Sequence, residues 1–226
     1  MTGQLTASDM TSEAVLSVPD FFAAAAEVMA ERGWIKGTCA GPNGEVCEVG
    51  AVLKVVCTPG DQHLALEVLS HRGGGVDHND HPGNTAEGSL KLLRSLGPIT
   101  EADMAAVFGP NWRAVRTLVR QASIATVEQL VAVAQLPKAP WFSALKAAEE
   151  ANRWSVWGAA RAAVWSAVWA AASTTVPRLF EGVVRNTLLA VTLADLAGQH
   201  GLEQDDLDAL RAPWADVFGD PLEVTA

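Results

Sequence analysis

Residues 141–173 read WFSALKAAEEANRWSVWGAARAAVWSAVWAAAS, and the fold turns on how this stretch is read. Alanine loses no side-chain entropy in a helix and offers no polar group to compete with the backbone. No proline interrupts the run, so the composition predicts one long helix over 141–173. Trp154, Trp157, Trp165 and Trp169 fall within about 120° of arc at about 100° per residue, which lines them along one face. Arg161 lies in the middle of that face, where a guanidinium stacks on indole rings. Ala159, Ala163, Ser166, Ala167 and Ala170 lie on the other side and form a smooth surface for close approach of a second helix. A helix with two packing faces needs a partner on each. Residues 177–197, with Leu179, Val183, Leu189, Val191 and Leu193, supply one. The second face belongs to the first half of the chain, to a second copy, or to a different protein. Trp and Arg are the residues favoured as interface hot spots.

Working outward, Pro137 and Pro140 break the chain before this helix, and short helices are expected at 101–108, 110–122 and 126–135. Thr100, followed by Glu101 and Asp103, reads as an N-cap with acid in the first turn. On the other side, Pro177 opens the helix over 177–197, and a short acidic helix over 203–211 precedes a tail containing Trp214 and Phe218. In the first half, helices are expected over 17–32 and 61–70, with Asp61 as the cap of the latter, and over 86–96 behind Thr85 as N-cap. Residues 45–57 read as helix or buried strand, with helix favoured. Gly97-Pro98 is the expected domain boundary. The fold class is therefore all-α: a polar tail over 1–11, a small helical domain with irregular loops over 12–96, and a helical bundle over 98–226 around the long Ala/Trp-rich helix.

The 226 residues carry a formal charge of −10, 49% hydrophobic residues, eight tryptophans and no tyrosine. That much apolar content excludes a disordered chain. The acidic balance disfavours nucleic acid and anionic membranes, unless basic residues gather on one face. Arg113, Arg116 and Arg120 do share a helix face by spacing. Residues 113–130 are similar to the helix–turn–helix in the C-terminal domain of the alpha polypeptide of RNA polymerase, with Ser123 where that unit has glycine. A DNA-associated regulator using these arginines is one alternative reading. Residues 1–20 contain no basic segment followed by an apolar core, and the charge-free stretch 162–176 is shorter than the roughly 20 residues a span requires. The expectation is a cytoplasmic protein with no membrane helix. Cys39, Cys47 and Cys57 lack CxxC spacing and read as reduced thiols.

The most irregular stretch is 71–84, where three glycines precede Asp77-His78-Asn79-Asp80-His81-Pro82-Gly83-Asn84. Asn79 and Asp80 fold back onto local backbone, Pro82 and Gly83 fix a turn, and Thr85 opens the next helix. His71, Asp77, His78, Asn79, Asp80 and His81 also form a candidate ligand loop, with His63 able to approach from the preceding helix. Imidazoles and carboxylates are ligands for Zn, Mn or Fe, so a metal-dependent or small-molecule-binding enzyme is a second alternative. No HExxH, Walker, GxSxG or GxGxxG pattern accompanies them, and no metal or cofactor is expected.

Gly33-Trp34, Cys47-Glu-Val-Gly50-Ala51 and the motif from His78 to Thr85 together resemble a domain of unknown function found in actinobacteria and their phages. The resemblance covers about residues 20–96 and places His78 where members have Trp. It implies an origin and brings no activity. The second half, ending in Ala212-Pro213-Trp214, resembles hypothetical proteins of high-GC bacteria and their phages. The expected function is non-catalytic: an accessory factor with a protein partner, either a host protein or a second copy.

Overall fold

The computed structural model describes residues 15–135, 142–172 and 177–223. Twelve α-helices account for most of these residues, accompanied by a 3-10 turn over Ala194–Leu196 and isolated β-bridges. They are α1 (Phe21–Arg32), α2 (Glu48–Leu53), α3 (Asp61–His71), α4 (Val76–Asp80), α5 (Ala86–Ser95) and α6 (Glu101–Phe108). There follow α7 (Trp112–Ile124), α8 (Val127–Gln135), α9 (Phe142–Glu150), α10 (Trp154–Ala172), α11 (Pro177–Thr192) and α12 (Gln204–Phe218). The all-α expectation holds.

Local chemistry accounts for most helix ends. Thr100 and Asp103 form a reciprocal capping box on α6. Thr126 and Gln129 do the same for α8, with Thr126 N–H donating to Gln129 Oε1 at 2.9 Å and Gln129 N–H to Thr126 Oγ1 at 3.2 Å. The helix expected over 45–57 is shorter, because Val46 is held in extended bridges to Trp34 and Ala40 before α2 starts. Asp61 is not the cap of α3. Gly60 takes that place at φ 94°, and a Cβ there would lie 3.1 Å from Arg120 Cα, so only glycine lets α3 approach α7 this closely.

The single helix expected over 141–173 is two helices, with residues 141 and 173 themselves outside the described set. α9 ends in a Schellman motif: Arg153 N–H donates to Ala148 O at 2.9 Å and Asn152 N–H to Glu149 O at 3.1 Å. Asn152 sits at φ 53°, the left-handed position that asparagine tolerates better than most residues. At the other end of the chain, α12 runs through Pro213, beyond the stop expected at 211, and Trp214 is fully buried within it.

α10 is the hub. It packs on α3, α6, α7 and α11, and one buried cluster takes in Phe22 of α1, Leu64 of α3, Met104 of α6, Leu118 of α7, Val164 of α10 and Trp214 of α12. A smaller cluster joins α9, α11 and α12 through Ala144, Ala147, Leu189, Leu207 and Leu210. Residues before and after Gly97-Pro98 thus share a core. Arg72 clamps the junction: it donates to Leu96 O at 2.6 Å and to Pro98 O at 3.0 Å while pairing with Asp103.

Asp61 makes the deepest polar tie. Its side chain has no solvent exposure, and its oxygens accept from Arg120 Nε at 3.0 Å, Arg120 Nη2 at 3.1 Å and the Ser17 N–H at 2.8 Å. Arg120→Ala leaves that carboxylate buried without its countercharge and is expected to destabilise the fold by about 3 kcal/mol. Urea denaturation measures it, and Arg120→Ala combined with Asp61→Ala should cost less than the sum of the two single changes.

Candidate functional site: an open tryptophan face and a closed polar loop

α10 is buried along Ala160, Ala163, Val164, Ala167 and Val168, an i, i+3, i+4, i+7, i+8 stripe. Of the small residues expected to form the second face, Ala163 and Ala167 are buried, while Ser166 and Ala170 are exposed. The two valines rotate the core-facing stripe away from the pure small-residue line, because they bury more apolar area. The tryptophans consequently lie toward solvent. Trp154 is 40% exposed and Trp169 42% exposed, with Trp165 half-buried between them. Trp157 leans inward at one edge and meets Trp154 edge-to-face, with ring centroids 5.6 Å apart. Its indole N–H is buried without an acceptor. Arg161 is exposed, and its guanidinium lies 5.7 Å from the Trp157 ring centroid.

From Trp154 to Ala172 the sequence contains no Asp or Glu. In a chain of charge −10, this helix presents indole, small residues and one arginine to water.

The second region is the loop around α4. Gly73 at φ 86° and Gly75 at φ 90° turn the chain into one helical turn, within a stretch read from sequence as irregular. Asn79 is fully buried there. The expectation that it folds back onto local backbone is not met: the backbone groups it binds are distant in sequence. Its Oδ1 accepts from Trp34 Nε1 at 2.8 Å and from the Glu48 N–H at 3.3 Å, and its Nδ2 donates to Ile35 O at 3.2 Å and to Asp80 Oδ1 at 2.8 Å. Asp80 also accepts from the Gly37 N–H at 2.9 Å. These hydrogen bonds on Asp80, with Lys36 nearby, hold its carboxyl below the usual range.

Glu48 is the residue that sequence reading misses. It has no exposure, its Oε1 lies 2.6 Å from His78 Nδ1, and its Oε2 accepts from the Gly75 N–H at 2.8 Å. A glutamate in a helix's first turn reads as ordinary dipole compensation, and nothing in the sequence marks this one as buried. Asn84 donates to His78 O at 3.0 Å and to Ser89 Oγ at 2.8 Å. Thr85 caps α5 as expected, accepting from the Gly88 N–H at 3.1 Å.

The candidate ligand loop is therefore divided. His78, Asn79 and Asp80 are engaged in hydrogen bonds, while His71, Asp77 and His81 point outward as exposed side chains, His81 Nδ1 accepting from the Gly83 N–H at 3.2 Å. Among the described residues no three His, Cys, Asp or Glu side chains converge as metal ligands would. His63 is largely buried in α3, and desolvation pushes its imidazole down. The arginine helix is similarly engaged. Arg113 pairs with Glu101 at 2.6 Å and stacks 4.4 Å from the Trp112 ring centroid, Arg120 pairs with Asp61, and Arg116 is half-buried. No helix among the described residues is long and apolar enough to cross a membrane.

A groove of about 250 Å³ lies beside this loop, lined by Val49, Leu66, Glu67, Ser70, Gly74 and Val76 among others. Burial pushes the Glu67 carboxyl up to about 7 from 4.5. The folded chain holds that proton more tightly than the unfolded one, so this contribution to stability is complete below pH 4.5 and disappears as pH rises through about 7. Glu67→Gln keeps the shape and cannot ionise. In urea titrations at a series of pH values, the variant should gain on the parent protein between pH 4.5 and 7, and a constant difference would show that Glu67 ionises freely in the fold.

Residues 14–96 match DUF6197, a family of unknown function, so the network around Glu48 and Asn79 falls inside the matched segment and α10 outside it. No curated protein and no solved structure matches the chain.

Proposed function

We propose that the protein works by binding another protein through the outer face of α10, without catalysis of its own. The observation that carries this reading is the exposure of Trp154 and Trp169 on the solvent side of a helix whose opposite side is core. Tryptophan at an exposed helix position keeps apolar area in water, at roughly 25 cal/mol per Å². Three indoles and an arginine along one ridge are the composition of an interface hot spot rather than of a solvated face. The helix contributes no Asp or Glu of its own to this face, so its partner offers an apolar surface. A second copy of this chain is disfavoured by its own charge of −10. The resemblance to actinobacterial and phage proteins supports a phage or mobile-element accessory factor whose partner is a host protein in the cytoplasm.

The polar loop supports the same reading by elimination of its own side chains. Glu48, Asn79, Asn84 and Asp80 use their hydrogen-bonding capacity to hold α2, α4, α5 and the segment after α1 together. That is the work of a strut.

Affinity capture from a nuclease-treated host lysate tests the proposal. The parent protein should retain one near-stoichiometric partner. Trp165→Ala or Trp169→Ala should weaken binding about 30-fold each, the equivalent of roughly 2 kcal/mol for a hot-spot tryptophan. The melting temperature and circular dichroism of Trp169→Ala should match the parent, whereas Trp165→Ala, whose indole also packs against the core, should melt lower while remaining helical. Undiminished capture by correctly folded Trp variants would remove α10 as the binding face.

A further inference from the structure

Cys39 and Cys47 face each other across a small hairpin. Ala40 and Val46 form an antiparallel bridge, and the Gly41 N–H donates to Glu45 O at 2.8 Å. That register sets residue 39 directly opposite residue 47. Opposed residues in an antiparallel pair have Cα atoms about 4.5–5.5 Å apart, inside the range a disulfide bridges. Both cysteines line one pocket of about 90 Å³ with Thr38, Asn79 and Asp80. Gly50 fixes the arrangement from the other side, since a Cβ on it would lie 1.8 Å from Cys39 O. The Cys39 backbone therefore rests against the first turn of α2, whose Gly50 N–H is capped by Cys47 Sγ at 3.3 Å.

We propose that Cys39 and Cys47 form a reversible dithiol–disulfide site that locks the segment after α1 onto α2, with a hydroperoxide as the oxidant. The asymmetry of the pair assigns the roles. Cys39 is exposed and Cys47 is buried. The Cys39 sulfur attacks a peroxide oxygen, the O–O bond breaks, one water leaves, and Cys39 becomes a sulfenic acid. The Cys47 sulfur then attacks the Cys39 sulfur, the S–O bond breaks, and a second water departs with the Cys47 proton. Two thiols and one hydrogen peroxide give one disulfide and two waters, and a thiol reductant reverses the bond. Burial pushes the Cys47 thiol up, so it stays protonated until the sulfenic acid forms beside it. Cys57 stands apart: it lies next to Asp61, and burial with that negative charge pushes its thiol up to about 11.

The segment that would be locked already touches α4 and the residue after it, through the Gly37 N–H on Asp80 Oδ1 at 2.9 Å and Lys36 Nζ on His81 O at 2.8 Å. Covalent closure ties these contacts to α2, so opening of the Gly37 hydrogen bond becomes rarer.

The test uses the folded, reduced full chain treated with one equivalent of hydrogen peroxide, quenched by alkylation and mapped by mass spectrometry. The expected result is a Cys39–Cys47 crosslink, Cys57 still alkylated, and full reversal by dithiothreitol. Amide exchange at Gly37 should slow at least about 10-fold on oxidation, and the melting temperature should rise by about 5 °C. Cys47→Ser, which keeps a cap for α2, should accumulate Cys39 sulfenic acid trapped by dimedone. Cys39→Ser should leave Cys47 unoxidised. Oxidation of Cys39 to sulfinic acid with Cys47 still alkylatable, or a crosslink through Cys57, would overturn the proposal. So would a Cys39–Cys47 crosslink that appears only after unfolding.

Discussion

Asp61 is a carboxylate with no solvent exposure, and a charge so placed persists only if its surroundings replace water at both oxygens. Arg120 supplies two donors and the Ser17 N–H a third. This one site joins the segment before α1, the start of α3 and the middle of α7. Much of the architecture follows from it. α3 must approach α7 closely enough for the pair to form, which is why Gly60 occupies the α3 N-cap. With α3 and α7 fixed side by side, α10 has a groove to lie in. One of the three arginines that gave α7 the look of a nucleic-acid-binding helix, Arg120, is consumed in the tie.

Seating α10 in that groove decides which of its sides meets water. Only the Ala160, Ala163, Val164, Ala167, Val168 stripe fits among α3, α6, α7 and α11. Indoles are too bulky for such close approach, so the tryptophans are displaced to the rim and the outside. Trp157 and Trp165 close the seam with one edge each, while Trp154 and Trp169 project further. The same packing that makes α10 the hub of the core therefore leaves its aromatic side open.

The features legible in the sequence are the ones governed by nearest neighbours. Thr85 and Thr100 announce their caps, and the alanine-rich run announces helix, because those effects act within one turn. The break after α9 escapes such a reading because Asn152 signals a left-handed residue only weakly against a strongly helical background. The extension of α12 through Pro213 escapes it because burial of Trp214 outweighs one lost backbone hydrogen bond. The stripe of tryptophans is visible by spacing, yet which side of α10 enters the core depends on Val164 and Val168 finding a groove built by three distant helices. Glu48 and Asn79 are invisible in their true roles for the same reason: all but one of their partners lie 27 to 45 residues away. Spacing can place residues on a face, but it cannot say what that face meets.

The two regions differ in how their polar and apolar groups are satisfied, and this difference bears on function more than residue type does. In the loop around α4, His78, Asn79, Asp80 and Asn84 look chemically rich, yet each is bound to a group that the fold itself provides. Such a network specifies one arrangement of the chain, because a slip strands its buried members, Glu48 and Asn79, at a cost of about 1–3 kcal/mol each. On α10 the reverse holds. The indole area of Trp154 and Trp169 is left to water by a chain that buries Phe21, Phe22, Phe108 and Trp214 completely. Side chains already held by the fold have little left to offer a ligand, whereas indole area in water gains by being covered, and that contrast is the physical basis of the interface proposed on α10.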